Sequence, residues 1–244
     1  MKLKYIYPFI PNAITLTSMC LGLTALRFSY VRENIYYSLV LLLIAAFLDA
    51  IDGKVARRLK VESPIGAQLD SLADFLNFCV TPALIAYEWH LKGLYFFGWV
   101  ATLIFLVGGA YRLARFNVMY NEGAENVATN YFIGMPTPAG AVFIFLPIVL
   151  ELKGAISTTT SIYTGIYITC LAGLMISHVK TPSSKLLHIS KKAAPLALLM
   201  MAAIVAGFIY APLDTYLAGI VGYSFLTLYL LSHGGLYHRK NERF

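Results

Sequence analysis

Long apolar runs recur along this chain, and they fix its class before any other feature is weighed. The runs Leu39–Leu48, Tyr95–Val107, Ala141–Leu150, Ala194–Ile209 and Tyr216–Leu231 contain no charged residue. A helix on the surface of a soluble protein carries a polar stripe, and these runs carry none. A bilayer-spanning helix needs about 20 mostly apolar residues. Of the 244 residues 59% are hydrophobic and only 13% charged, where a soluble domain has roughly a quarter charged. The chain has too little polar surface to cover itself in water. It reads as an all-α integral membrane protein.

Eight spans are expected, near residues 11–29, 34–58, 66–89, 93–115, 137–152, 160–179, 193–210 and 214–234. The fifth is short, and Pro136 and Pro138 sit at its start. No cleavable signal peptide is expected, because the first apolar stretch lacks a small-residue cleavage site and continues into the body of the protein. Eight spans put Lys2, Lys4, the Lys54–Lys60 segment, Arg112, Arg115, Lys180–Lys192 and Arg239–Arg243 on one side, fifteen of the nineteen basic residues. Arg27, Arg32, Lys92 and Lys153 fall on the other. By the positive-inside rule both termini face the cytoplasm. The net charge of +7 suits an anionic leaflet; no basic-aromatic stripe accompanies it, so nucleic acid is not an expected partner. Cys20, Cys79 and Cys170 are isolated in apolar stretches, which argues against disulfides and against zinc. His233 and His238 read as interfacial. One membrane domain, 1–244, accounts for the chain.

Charge inside a span costs roughly 2.5–3.5 kcal/mol per residue at a helix centre, yet two neighbouring segments hold four aspartates. On the first, Asp49, Gly53 and Arg57 lie at i, i+4, i+8, with Asp52 and Ala56 on the adjoining row. On the second, Gly66, Asp70 and Asp74 repeat that spacing, so each helix puts two carboxylates on one face. The link from Arg58 to Ile65 is short enough for antiparallel neighbours. Gly53, Ala56, Gly66 and Ala67 would let the two helices approach closely. Four facing carboxylates need a positive partner. They form the oxygen-rich ligand set that Mg²⁺, Mn²⁺ or Ca²⁺ prefers, and two ions would balance the charge and clamp a phosphoryl group. Buried ion pairs with Arg57 and ion or proton transport are the competing readings; transport lacks matching acids toward the far side. An intramembrane prenyltransferase would also use aspartate-rich diphosphate motifs.

The spacing D-x2-D-G-x2-A-R-x8-G-x3-D-x3-D, unbroken from Asp49 to Asp74, resembles the signature of the CDP-alcohol phosphatidyltransferases. Prenyltransferase motifs lack its G-x2-A-R-x8-G portion. The resemblance implies transfer of a phosphatidyl (or archaetidyl) group from a CDP-linked lipid to an alcohol, with release of CMP. It further implies that Asp49, Asp52 and Asp70 are metal ligands. Asp74 would be the base, close enough to touch metal itself, and Gly53, Ala56, Arg57 and Gly66 would line the CDP pocket. Pro11-Asn12-Ala13-Ile14-Thr15, Arg112-Leu113-Ala114-Arg115-Phe116-Asn117 and Gly134-Met135-Pro136-Thr137-Pro138-Ala139 resemble segments of the family's bacterial serine-using branch. Asn12 and Thr15 then join the CDP-lipid site, while Arg112, Arg115 and Asn117 would bind L-serine, with one or other of the two arginines meeting its carboxylate; the competing reading makes both arginines positive-inside anchors. Glycerol phosphate and inositol phosphate are the alternative acceptors. Ser18 stands where the family commonly has Asn, and Met135 where it has Leu. The resemblance extends over about the first 140 residues and implies a homodimer in the cell membrane, with the site toward the cytoplasm.

Overall fold

Local signals set the helix ends around the aspartates. In the computed structural model, which describes residues 9–31, 34–61, 63–121, 131–156, 161–182, 200, 203, 206–208 and 210–241, α1 spans Phe9–Ser29 and α2 spans Ile35–Leu59. α2 stops where Lys60 turns left-handed (φ 56°, ψ 41°). That turn lets the Val61 amide donate to the Ala56 carbonyl at 3.1 Å, satisfying an end carbonyl that a straight helix leaves open. Ser63 starts the next helix: its Oγ accepts from the Gly66 amide at 3.0 Å. Pro64 occupies the first turn, where a missing N–H costs nothing.

α3, Pro64–Phe75, is the first part of one irregular rod reaching Leu94. A π turn at Leu76–Val80 leads into α4, Thr81–Ala86; a second at Tyr87–Leu91 and a short 3-10 turn, Lys92–Leu94, finish it. Pro82 has no amide and crowds the turn before it; the π turn directly ahead of it takes up the strain by letting the Thr81 amide reach back to the Leu76 carbonyl. The chain reverses at Tyr95 (φ 49°) into α5, Phe96–Asn121. Gly98 packs on the Leu91 carbonyl, which a Cβ would meet at 2.0 Å.

The expected fifth span is two short helices, α6 (Thr137–Ile144) and α7 (Leu146–Leu152). It breaks at Phe145 because Pro147 cannot continue the ladder. α8 covers Ser161–Ile176 and α9 covers Pro212–Asn241. α8 ends sooner than the expected 179 because Lys180–Pro182 (β2) pairs antiparallel with Tyr131–Ile133 (β1). This ladder departs from a purely helical reading. Most of the seventh expected span, 193–210, lies outside the described residues, as do Lys2, Lys4, Arg32, Lys185, Lys191, Lys192 and Arg243 of the charge count.

α1 packs along α2 and α5 along α8, with the rod between these pairs. Its centre is fully buried: Ile85, Leu91, Phe105, Ile144, Ile148, Ile168 and Met175. Phe47, Phe97, Ile162, Val221 and Phe225 instead point outward, a pattern that water penalises and lipid does not. Phe9–Ser29, Pro64–Leu94 and Phe96–Met119 are long and apolar enough to cross a membrane, and Thr137–Leu152 and Ser161–Ile176 are shorter apolar helices. Such a set marks a multi-pass membrane protein. α2 has the length, but Asp49, Asp52, Lys54, Arg57 and Arg58 crowd its second half.

Candidate active site

The aspartates meet where α1, α2 and α3 converge. Asp49 and Asp52, a turn apart on α2, and Asp70 on α3 each bring a carboxylate oxygen within 4.8 Å of the others. Asp74 faces Asp49 at hydrogen-bonding range. Asp52 is buried and held on both oxygens: the Thr15 hydroxyl donates to Oδ2 and the Gly53 amide to Oδ1 at 2.6 Å. Asp70 is exposed to the cavity side, with the Arg57 charge nearby. The partner helix is therefore α1, which carries no acid of its own.

A cavity of about 460 Å³ opens beside the cluster. Asn12, Thr15, Gly53, Ala56, Arg57 and Gly66 all line it, together with Asp52 and Asp70. The expectation that both glycines serve close packing of α2 on α3 needs correcting. A Cβ on Gly53 would meet nothing within 4 Å, whereas one on Gly66 would meet Asn12 Oδ1 at 3.0 Å and Ser63 Oγ at 3.1 Å. Gly66 lets α3 close on α1; Gly53 leaves open space. Sequence reading missed Pro11, Val61, Ser63, Pro64 and Ala67 as lining residues, although the Ser63-Pro64 helix start was readable. Ser18 is absent from the lining; it is fully buried, bonded to the Ala45 carbonyl at 2.8 Å.

The three residues expected to meet serine separate. Arg112 is buried near Asp74, donates to Thr137 Oγ1 at 3.2 Å and lies 5.7 Å from the centre of the Phe116 ring. Arg115 donates to the carbonyls of Ile176 at 3.2 Å and Ile133 at 2.9 Å, tying α5 to α8 and β1. Gly134 beside it has φ 78°, a backbone state that favours glycine. Asn117 donates to Ser71 Oγ at 3.1 Å, linking α5 to α3 next to Asp70.

The donor set fits a hard divalent ion. Asp49 Oδ1 is buried without a hydrogen-bond partner among the described residues, and like charges this close repel unless a cation or proton lies between them. All ligand atoms are carboxylate oxygens, as such ions prefer. Those residues could hold the ion, and the adjoining cavity has room for a nucleotide diphosphate.

The family model described as CDP-alcohol phosphatidyltransferase matches residues 8–171, about thirty residues beyond the stretch that the motifs cover. A CDP-diacylglycerol–serine O-phosphatidyltransferase of Mycobacterium leprae is 36% identical over 205 residues, 83% of this chain and 68% of the relative. Its namesake in Bacillus subtilis is 34% identical over 193 residues, 76% of this chain and 94% of the relative. Another in Methanocaldococcus jannaschii is 31% identical over 173 residues, 71% and 73% of the two chains. With the aspartate signature intact and two thirds of its length inside the family model, the chain belongs to the CDP-alcohol phosphatidyltransferase family.

Proposed function

We propose that this chain transfers a phosphatidyl group from CDP-diacylglycerol to the hydroxyl of L-serine, releasing CMP. The observation that carries the reading is the convergence of Asp49, Asp52 and Asp70 beside a cavity lined by Gly53, Ala56, Arg57 and Gly66 of the same signature. The relatives' names supply the acceptor.

Asp49, Asp52 and Asp70 would hold divalent metal, Mg²⁺ or Mn²⁺ and two ions in this reading, with Asp74 at the edge of the set. Bound there, the metal would neutralise the diphosphate and stabilise charge developing on phosphorus and on the leaving CMP. The chain's own residues do the remainder. Arg57 lines the cavity and supplies a guanidinium to the diphosphate, while Asn12, Thr15, Ala56 and Gly66 shape the wall and Gly53 leaves room for the nucleotide. Arg112 pairs with the serine carboxylate, and Asn117 fixes α5 against α3 on that side. Asp74 takes the proton of the serine hydroxyl; the serine oxygen bonds to the lipid-side phosphorus, and the bond from that phosphorus to the CMP oxygen breaks.

The finer membrane reading belongs to the same proposal: eight spans in one domain, both termini and the site toward the cytoplasm, and a homodimer by family resemblance. Serine is a soluble cytoplasmic metabolite, so a cytoplasmic site lets it arrive while the lipid tails stay in the bilayer. The test is CMP release by purified protein given CDP-diacylglycerol and, separately, L-serine, glycerol 3-phosphate and inositol phosphate. Serine should be the productive acceptor. Faster turnover of a phosphorylated acceptor would keep the family and remove the serine assignment.

A further inference from the structure

One turn deeper than the aspartates, a second polar contact crosses the same three helices. Asn77 Nδ2 donates to Ser18 Oγ at 2.7 Å, and Ser18 Oγ donates to the Ala45 carbonyl at 2.8 Å. Ser18 and Asn77 are both fully buried. The endpoints matter. In an α-helix the Ala45 carbonyl is the acceptor for the amide of Asp49, four residues on. Asn77 follows Asp74 by three residues, inside the π turn Leu76–Val80. The relay therefore joins the turn that carries Asp49 to the turn that carries Asp74, running through α1 and parallel to the contact between those two carboxyls.

α1 is shaped for this. A Cβ on Gly22 would come 2.1 Å from Asn77 Oδ1, so the Asn77 amide sits in a notch between Ser18 and Gly22, four residues apart. Thr15, three residues before Ser18, holds Asp52. One face of α1 thus sets Asp52 through Thr15 and Asp74 through Ser18 and Asn77. A π turn is a costly irregularity that recurs at functional sites, and this one places the Asn77 amide in the notch.

We infer that Ser18 and Asn77 are positioning residues for the transfer reaction: their relay fixes Asp74 in register with Asp49 and Asp52. The inference rests on the phosphatidyl-transfer reading above, and neither residue touches the cavity. A shift of about 1 Å in a reacting group can cost about a hundredfold in rate. The relay should therefore act on turnover while leaving substrate affinity in place.

The experiment measures kcat per folded molecule, KM for CDP-diacylglycerol and for serine, and the unfolding temperature in detergent. It uses Ser18→Ala, Asn77→Leu, and the double exchange Ser18→Asn with Asn77→Ser, which restores an amide–hydroxyl pair across the same gap. The single variants should lose about 10–100-fold in kcat with both KM values nearly unchanged, and the exchange should recover at least about tenfold of that loss. Ser18→Ala removes one oxygen atom and decides the matter if Asn77→Leu does not fold. Wild-type kcat per folded molecule in Ser18→Ala, whatever its unfolding temperature, would overturn the inference, as would a folded exchange variant with no recovery. Those results leave the functional reading standing; a wild-type protein that releases no CMP would remove both.

Discussion

Thr15→Val replaces a hydroxyl by a methyl of the same shape at the one side chain among the described residues that donates to Asp52. Asp52 is 2% exposed, so little water reaches it to replace the lost bond. A hydrogen bond to a charged group contributes about 1.5–3 kcal/mol, or about 10–150-fold in an equilibrium constant at 1.4 kcal/mol per decade. Groups that hydrogen-bond a metal ligand commonly alter affinity or activity by about 10–100-fold, so the two magnitudes agree. The variant should need roughly 10–100 times more Mn²⁺ for half-maximal CMP release at saturating CDP-diacylglycerol and serine. Thr17→Val is the control. Thr17 is exposed and bonds the Ala13 carbonyl of its own helix at 2.7 Å, so the metal dependence of that variant should stay at wild type. A Thr15→Val enzyme with the wild-type Mn²⁺ requirement would refute the claim that α1 orients Asp52 for metal.

The glycines should part company. Gly53→Ala should leave the unfolding temperature unchanged and raise the KM for CDP-diacylglycerol, because the added methyl meets no protein atom and enters the cavity; Gly66→Ala should lower the unfolding temperature as Asn12 and Ser63 move aside. Arg112→Ala should raise the serine KM by about 10–150-fold, the cost of a charge-assisted contact, with the CDP-diacylglycerol KM little changed. Arg115→Ala should act first on stability, since its guanidinium holds the Ile133 and Ile176 carbonyls, and a pure serine KM effect there would contradict that role. Asp74→Asn should remove most turnover, about 10²–10³-fold, while CDP-diacylglycerol still binds in an equilibrium assay. Loss of that binding would favour a ligating role for Asp74 over a base.

The parts of the site written in helical periodicity were legible from the sequence. Asp49 and Asp52, and likewise Asp70 and Asp74, fall on shared faces because 3.6 residues make a turn, and Ser63-Pro64 announces a helix start. The resemblance placed Asn12 and Thr15 at the CDP-lipid site, but the hold of α1 on the aspartates was hidden, because Thr15, Ser18 and Gly22 are small, uncharged residues whose contacts to Asp52 and Asn77 form only when those arrive from other helices. Gly53 and Gly66 looked alike in sequence, and only their neighbours separate them. Arg112 and Arg115 likewise share a motif and a helix; the carbonyls that claim Arg115 come from residues distant in the chain. The β1–β2 ladder joins two connections far apart in sequence, so no local pattern marks it. Pro82 and Pro147 lie inside spans read as continuous, and a proline alone does not say whether the chain bulges, as at Leu76–Val80, or breaks, as at Phe145.

The central claim is that the carboxylate cluster holds the divalent metal on which transfer to serine depends. Its most direct test is serine-dependent CMP release titrated with Mn²⁺ or Mg²⁺ after chelation, for wild type and for Asp49→Asn, Asp52→Asn and Asp70→Asn. Chelation should abolish wild-type release and either ion should restore it, while each variant should lose about 10²–10³-fold in turnover and need more ion to reach half its own maximum. Full activity in excess chelator, or an ion requirement in the three variants equal to that of wild type, would contradict the account.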